Sequence, residues 1–177
     1  ADDTEKVASV ARAIARELRC MNIDIDFAPV LDVRTNPDDP IIGDRSFGSD
    51  AEHVAKMGAA FIRAMQAEGV SACGKHFPGH GDANLDSHKA LPILEHDLSR
   101  LRAVEWKPFQ AAIDAGLASI MTGHLLLPAI DEKNPATLSA RILSMLRHEL
   151  GFKGVIVSDD LEMKALANHE PGALAVR

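Results

Sequence analysis

The sequence lacks any apolar run approaching the roughly 18 residues that a membrane-spanning helix needs, so no transmembrane segment is predicted. It also lacks positive charge in excess. With 19 Lys and Arg against 26 Asp and Glu, the net charge of −7 argues against a nucleic-acid surface and against polybasic membrane contact. The basic start and apolar core of a signal peptide are absent. In their place ADDTEKVASVARAIARELRC (1–20) reads as an amphipathic helix, with Val7, Val10, Ala11, Ile14 and Leu18 on one face. Only two cysteines occur, Cys20 and Cys73, and they form no CxxC pair. Both are expected to be buried free thiols in a reducing compartment, which points to the cytoplasm. No GxGxxG or GxxxxGK[ST] phosphate loop follows any strand, and no GxSxG elbow is present to carry a serine nucleophile.

What is present is an ordinary globular composition, 46% apolar and 25% charged, in 177 residues, a length that suits one domain. Helical and strand patterns alternate. Helices are expected over residues 3–21, 51–69, 98–116 and 140–151, with another starting at LEMKALANH (161–169). Strands are expected within 23–33, where the strand leads into a loop, and over 70–74, 117–123 and 155–160. Ser49 or Asp50 is a suitable cap for the second helix and Gly69 a stop, and Pro108 is placed to kink or split the third. The strands are apolar along their length, as for a parallel sheet covered on both faces.

Two parallel architectures fit this alternation, an open doubly wound sheet and a (β/α)8 barrel. The helix-to-strand connections AEGVS, DAGLAS and LGFKGV are short and plain, whereas each strand ends in polar residues. These are Asp32 and later Arg45, then Lys75 and His76, then His124, then Asp159 and Asp160. A barrel gathers many strand ends into one mouth, while an open sheet uses mainly its switch point. The α/β class expected is therefore a (β/α)8 TIM-type barrel. A complete one typically takes about 250 residues, so this chain would supply roughly four βα units, a partial barrel.

The densest chemistry is KHFPGHGDANLDSH (75–88). His76, His80 and His88 are spaced H-x3-H-x7-H, but Pro78 and Gly79 between the first two exclude a helix presenting both to zinc. No metal and no cofactor are expected. Asp86, Ser87 and His88 are sequence neighbours without the elbow that a serine nucleophile needs. In an extended segment Asp86 and His88 would point to the same side, so the carboxylate could hold the imidazole as an acid/base. That role needs a separate nucleophile, and Asp159 at the end of VIVS is placed to be one. The plainer alternative is that these histidines only tie down a long loop.

Together DFAPVLDV (26–33), GDRSFGSD (43–50), GKHFPGHGDANLDSH (74–88), NPATLSARILSMLRHELGFKG (134–154) and GVIVSDDLEM (154–163) resemble glycoside hydrolase family 3. The resemblance is to its β-N-acetylhexosaminidase branch, enzymes that trim N-acetylglucosamine from muropeptides and chitin fragments, and it covers essentially the whole chain. It implies a TIM-type barrel, a carbohydrate substrate and a mechanism that retains anomeric configuration. It implies that Asp159 is the nucleophile, that His88 is the acid/base with Asp86 as its partner, and that Lys75, His76 and Arg45 contact the sugar. Asp160 is suited to cap the next helix, and His124 to line the pocket or pack. Family members carry an earlier D-x-E-G-G-R-V-type segment whose Asp and Arg also bind sugar, and this sequence has none. Residues 1–177 are accordingly read as one N-terminal-type catalytic domain truncated at both ends, inactive alone or in need of the missing portions. A phosphorylase using the same residues and an inactive sugar-binding fragment are the alternatives to a hydrolase.

Overall fold

Four parallel strands, β1 (Ile25–Asp26), β2 (Ser71–Phe77), β3 (Ser119–Thr122) and β4 (Val155–Ser158), lie side by side in chain order in a computed structural model. It describes residues 3–39, 41–83, 87 and 90–167. A doubly wound sheet would reverse its strand order at a switch point; this one does not. Sequential winding with a helix in each crossover is the path of a (β/α)8 barrel, of which four strands are present.

The crossover helices are α1 (Asp3–Cys20), ahead of β1, then α2 (Ala51–Ala67), a broken helix described below, and α5 (Ala140–His148). Asp50 caps α2 by accepting from His53 N at 2.7 Å, and Gly69 ends that crossover at φ +84°, where a Cβ would strain the backbone. Ser139 caps α5 through Ile142 N. The apolar faces of α1 and α2 pack on each other through Ala8, Ala11, Ala15, Phe61, Ile62 and Met65, all buried.

The helix predicted over 98–116 is broken. A short turn, α3 (Leu98–Arg100), passes into a π-helical stretch, Leu101–Glu105, and then into α4 (Lys107–Asp114). Pro108 has no N–H for a continuing helix and sits in the first turn of α4, where none is needed. Trp106 N instead donates to Leu101 O at 2.8 Å, the i to i−5 bond of the wider turn.

Further expectations are corrected. The first strand pairs regularly only at Ile25 and Asp26, because Pro29 offers no donor to a ladder, although Val30 still bridges Lys75. The second strand runs on to Phe77, so Lys75 and His76 belong to it and not to the following loop. Among the described residues after β4, 161–163 form turn and bend and only a single 3-10 turn, Lys164–Leu166, follows, while 168–169 of the predicted helix lie outside them. Cover on both faces holds for β3, where every residue is buried, but not at the edges, where Ile25, Phe27 and Val155 are 54%, 53% and 61% exposed. Cys73 is buried as expected; Cys20, last residue of α1, is exposed. Among the described residues, no helix is long and apolar enough to cross a membrane.

Candidate active site

Successive residues of a regular strand face opposite sides of its sheet, so Lys75 and His76 should not share a cavity. They do so through a bulge in β2. Lys75 pairs with Met121 and Phe77 with Thr122, which leaves His76 as the extra residue. Phe77 then returns to the helix side, stacked on Trp106 at 6.0 Å and edge-on to Phe109 at 5.3 Å. Gly123 makes room beside the bulge, where a Cβ would stand 3.1 Å from His76 Cβ.

Asp32 holds this arrangement. Its carboxylate is fully buried and accepts from His76 N at 3.1 Å, from His76 Nδ1 at 2.8 Å and from His80 N at 2.7 Å. Burial pushes its pKa up, but the charge and hydrogen bonds of His76, with His80 behind them, outweigh burial and hold it below the ordinary value. An ionised carboxylate only accepts, so His76 Nδ1 carries the proton and Nε2 is left for a ligand. His80 packs edge-on against His76, ring centroids 6.0 Å apart, with Nε2 3.3 Å from Ser87 Oγ. Burial keeps the His80 ring below its usual pKa and therefore neutral near pH 7. Gly81 lets the loop lie against the first strand, since a Cβ there would collide with the Val33 carbonyl oxygen.

At the end of β4, Asp159 N donates to Thr122 O at 3.0 Å, and Asp159 Oδ1 accepts from Asp160 N at 2.9 Å. Asp160 Oδ1 in turn accepts from Glu162 N and closes a local turn, but it does not cap a helix as expected, since the 3-10 turn that follows has Met163 at its N-cap and no side-chain cap. Arg45 reaches the same region from the loop after the first strand, its guanidinium braced on Ile41 O at 2.9 and 3.1 Å.

These strand ends enclose one cavity of about 400 Å³. Arg45, Lys75, His76, His80, Ser87 and Asp159 supply its polar wall, and Phe27, Ile41 and Met121 its apolar side. Four of the six residues singled out from the sequence therefore line one space: Asp159, Lys75, His76 and Arg45. The other two, Asp86 and His88, lie outside the described residues, but Ser87 between them lines the cavity and accepts from Ala165 N through its carbonyl. Sequence reasoning missed Asp32 as the anchor of both histidines; its only signal was an acid following an apolar strand. Among the described residues no group of three or more His, Cys, Asp or Glu side chains is arranged to hold a metal ion.

Cationic and neutral donors facing the Asp159 carboxylate, with Asp160 beside it, across a cavity open to solvent suit a polyhydroxylated ligand. Comparison with known proteins agrees in kind. The sequence profile described as "Glycosyl hydrolase family 3 N terminal domain" matches residues 1–177. A "Beta-hexosaminidase A" of Pseudoalteromonas piscicida is 41% identical over 172 residues, covering 90% of this chain and 29% of the relative. A glycoside hydrolase family 3 beta-N-acetylglucosaminidase from Paenibacillus sp. str. FPU-7 superposes with a TM-score of 0.94 at 46% identity, over 98% of this chain and 34% of that one. NagZ from Neisseria gonorrhoeae, solved in complex with N-trifluoroacetyl-D-glucosamine, superposes with a TM-score of 0.87 at 37% identity, over 97% of this chain and 50% of that one. The chain thus spans between about a third and a half of these proteins.

Proposed function

The chain belongs to the glycosyl hydrolase family 3 N-terminal domain family, and from that premise we propose that the whole protein is a retaining glycosidase releasing terminal β-linked N-acetylglucosamine. The sugar assignment is supported by relatives named as beta-hexosaminidase and beta-N-acetylglucosaminidase. Muropeptides and chito-oligosaccharides are the substrate class. The exposed Cys20 thiol, unpaired, fits a reducing compartment such as the cytoplasm.

The observation that carries the reading is the convergence of Asp159, Lys75, His76 and Arg45 on one cavity. In the proposed reaction the free oxygen of Asp159 attacks the anomeric carbon and forms a glycosyl-enzyme. His88, held by Asp86, gives its proton to the departing oxygen and takes one back from the water that releases the sugar. Lys75, Arg45 and His76 Nε2 hydrogen-bond the sugar hydroxyls, and Asp32 keeps the His76 ring turned so that Nε2 faces them. The rigid β2 end thereby orients the substrate before the reactive carboxylate meets it.

The test is release of p-nitrophenol from its β-N-acetylglucosaminide by the whole protein, beside Asp159→Ala and His88→Ala. Turnover that both substitutions abolish is expected. Wild-type turnover left untouched by either would refute the assignment of that residue.

A further inference from the structure

Resting on the assignment of Asp159 as nucleophile, we infer that His124 is the positioning residue of that nucleophile, holding its turn from the neighbouring strand. His124 follows Gly123 at the end of β3 and is buried. Its ring meets two partners, Asp160 O at 2.9 Å from Nε2 and Thr137 Oγ1 at 2.8 Å from Nδ1.

A carbonyl only accepts, so Nε2 bears a proton. Burial holds the ring below its ordinary pKa of 6.5, against the opposing pull of the Asp160 hydrogen bond and the Asp159 and Asp160 charges. The ring is then neutral at pH 7, and Nδ1 is an acceptor within 2.8 Å of the Thr137 hydroxyl. Thr122 Oγ1 stands behind it, 3.1 Å from Thr137 Oγ1. Thr137 Oγ1 also reaches Gly123 O at 3.1 Å and Thr122 Oγ1 reaches Val157 O at 3.3 Å, so these hydroxyls tie the His124 ring to the ends of β3 and β4.

Thr122 also accepts from Asp159 N through its own carbonyl at 3.0 Å. The turn is therefore pinned on both sides of the Asp159–Asp160 peptide, by Thr122 O ahead of it and by His124 behind it. That peptide's N–H is the donor that holds Asp159 Oδ1. Fixing the two flanking groups fixes the direction of this N–H, hence the carboxylate, and leaves Oδ2 for attack. With Asp159 only half-buried, main-chain bracing of this kind takes the place of side-chain packing.

The experiment compares wild-type whole protein with Asp159→Asn, His124→Leu, His124→Asn and His124→Gln. The substrate is 2,4-dinitrophenyl β-N-acetylglucosaminide, whose leaving group needs no proton, so kcat/KM reports attack alone. Displacement of a reacting group by about 1 Å costs on the order of 100-fold. A loss of about that size in kcat/KM is expected for His124→Leu, with thermal midpoints recorded for every variant. Asn places its amide at the Nδ1 position, keeps Thr137 and falls short of Asp160, so it should resemble Leu. Gln reaches Asp160 O from the Nε2 position and should restore most of the rate. Wild-type kcat/KM in the Leu or Asn variant overturns the inference alone, provided Asp159→Asn is inactive. So does a Gln variant no better than Leu at equal thermal midpoint. An active Asp159→Asn overturns the nucleophile assignment, and the positioning role with it.

Discussion

At the end of β2 the carboxylate of Asp32 is fully buried and takes hydrogen bonds from the backbone of His76 and His80 and from the His76 ring. At the end of β4 the carboxylate of Asp159 is half-buried and takes one hydrogen bond, from the next residue's backbone. Both stand at the same end of the sheet. The difference lies in what is left over. Asp32 has both oxygens engaged and its charge matched, so it can hold other groups and do nothing else. Asp159 keeps an oxygen free and is fixed by its main chain. In the proposed reaction the carboxylate that attacks is held by its backbone, and the one that organises is held by everything around it.

The largest effects should fall on opposite observables at the two ends. Asp159→Ala should lower kcat by about 10⁴-fold or more while the denaturant midpoint stays close to wild type, since little packing is lost. Assays of turnover and of urea unfolding on the same sample check both halves. Asp32→Ala should do the reverse first. It strands three buried donors, and the loss should be about 3–5 kcal/mol of stability. If Asp32→Ala left stability unchanged, the contrast between the two carboxylates would be wrong.

A smaller effect is expected from acid. Burial depresses the pKa of His80 and of His124 below 6.5. The unfolded chain takes up protons at both rings near pH 6.5 and the folded chain only lower, so their neutral burial stabilises fully above that value. That stability is lost as pH falls from 6.5 through their lower folded values. The thermal midpoint should therefore drop between pH 7 and pH 5, and a His80→Gln, His124→Gln double variant should flatten the drop.

The smallest effect separates hydrogen bonding from function. Asp131, remote from the cavity lining, is pushed up by burial. Bonds from Asn134 N and Ser139 Oγ at 3.0 and 2.8 Å, with Lys133 N, nonetheless bring its pKa down to about 2. Its folded pKa lies below the unfolded 3.8, so its contribution is present above about pH 4 and vanishes as pH falls toward about 2. Asp131→Ala should lower the thermal midpoint at pH 7, and this difference from wild type should shrink below pH 3. A carboxylate with a depressed pKa is thus not a mark of the active site in this protein.

Much of the site is legible in the sequence. Lys75, His76 and Asp159 each follow an apolar stretch, and in a parallel sheet that alone puts them at one end. The regular alternation of helix and strand announces a parallel sheet, and polar residues at all four strand ends favour the sequential order of a barrel. What the sequence does not reveal needs pairing across space. Asp32 meets His76 across 44 residues, and no local pattern records that contact. The bulge that turns Lys75 and His76 to one side is a register shift against β3, visible only once the strands are paired. Cys20 misleads because α1 ends there, beyond the last turn of its apolar face at Leu18. The break at Leu101–Glu105 is foreshadowed by Pro108, but its π-helical form is not.

The most direct test of Asp159 as the nucleophile is to trap the covalent intermediate. The whole protein would be incubated with a 5-fluorinated N-acetylglucosaminyl fluoride, which forms a glycosyl-enzyme faster than it releases it, and then digested and mapped by mass. One glycosyl group is expected on the peptide containing Ser158 to Met163, attached to Asp159 and absent from Asp159→Asn. Turnover with an adduct on another carboxylate, or with inverted product and no adduct, would contradict that assignment.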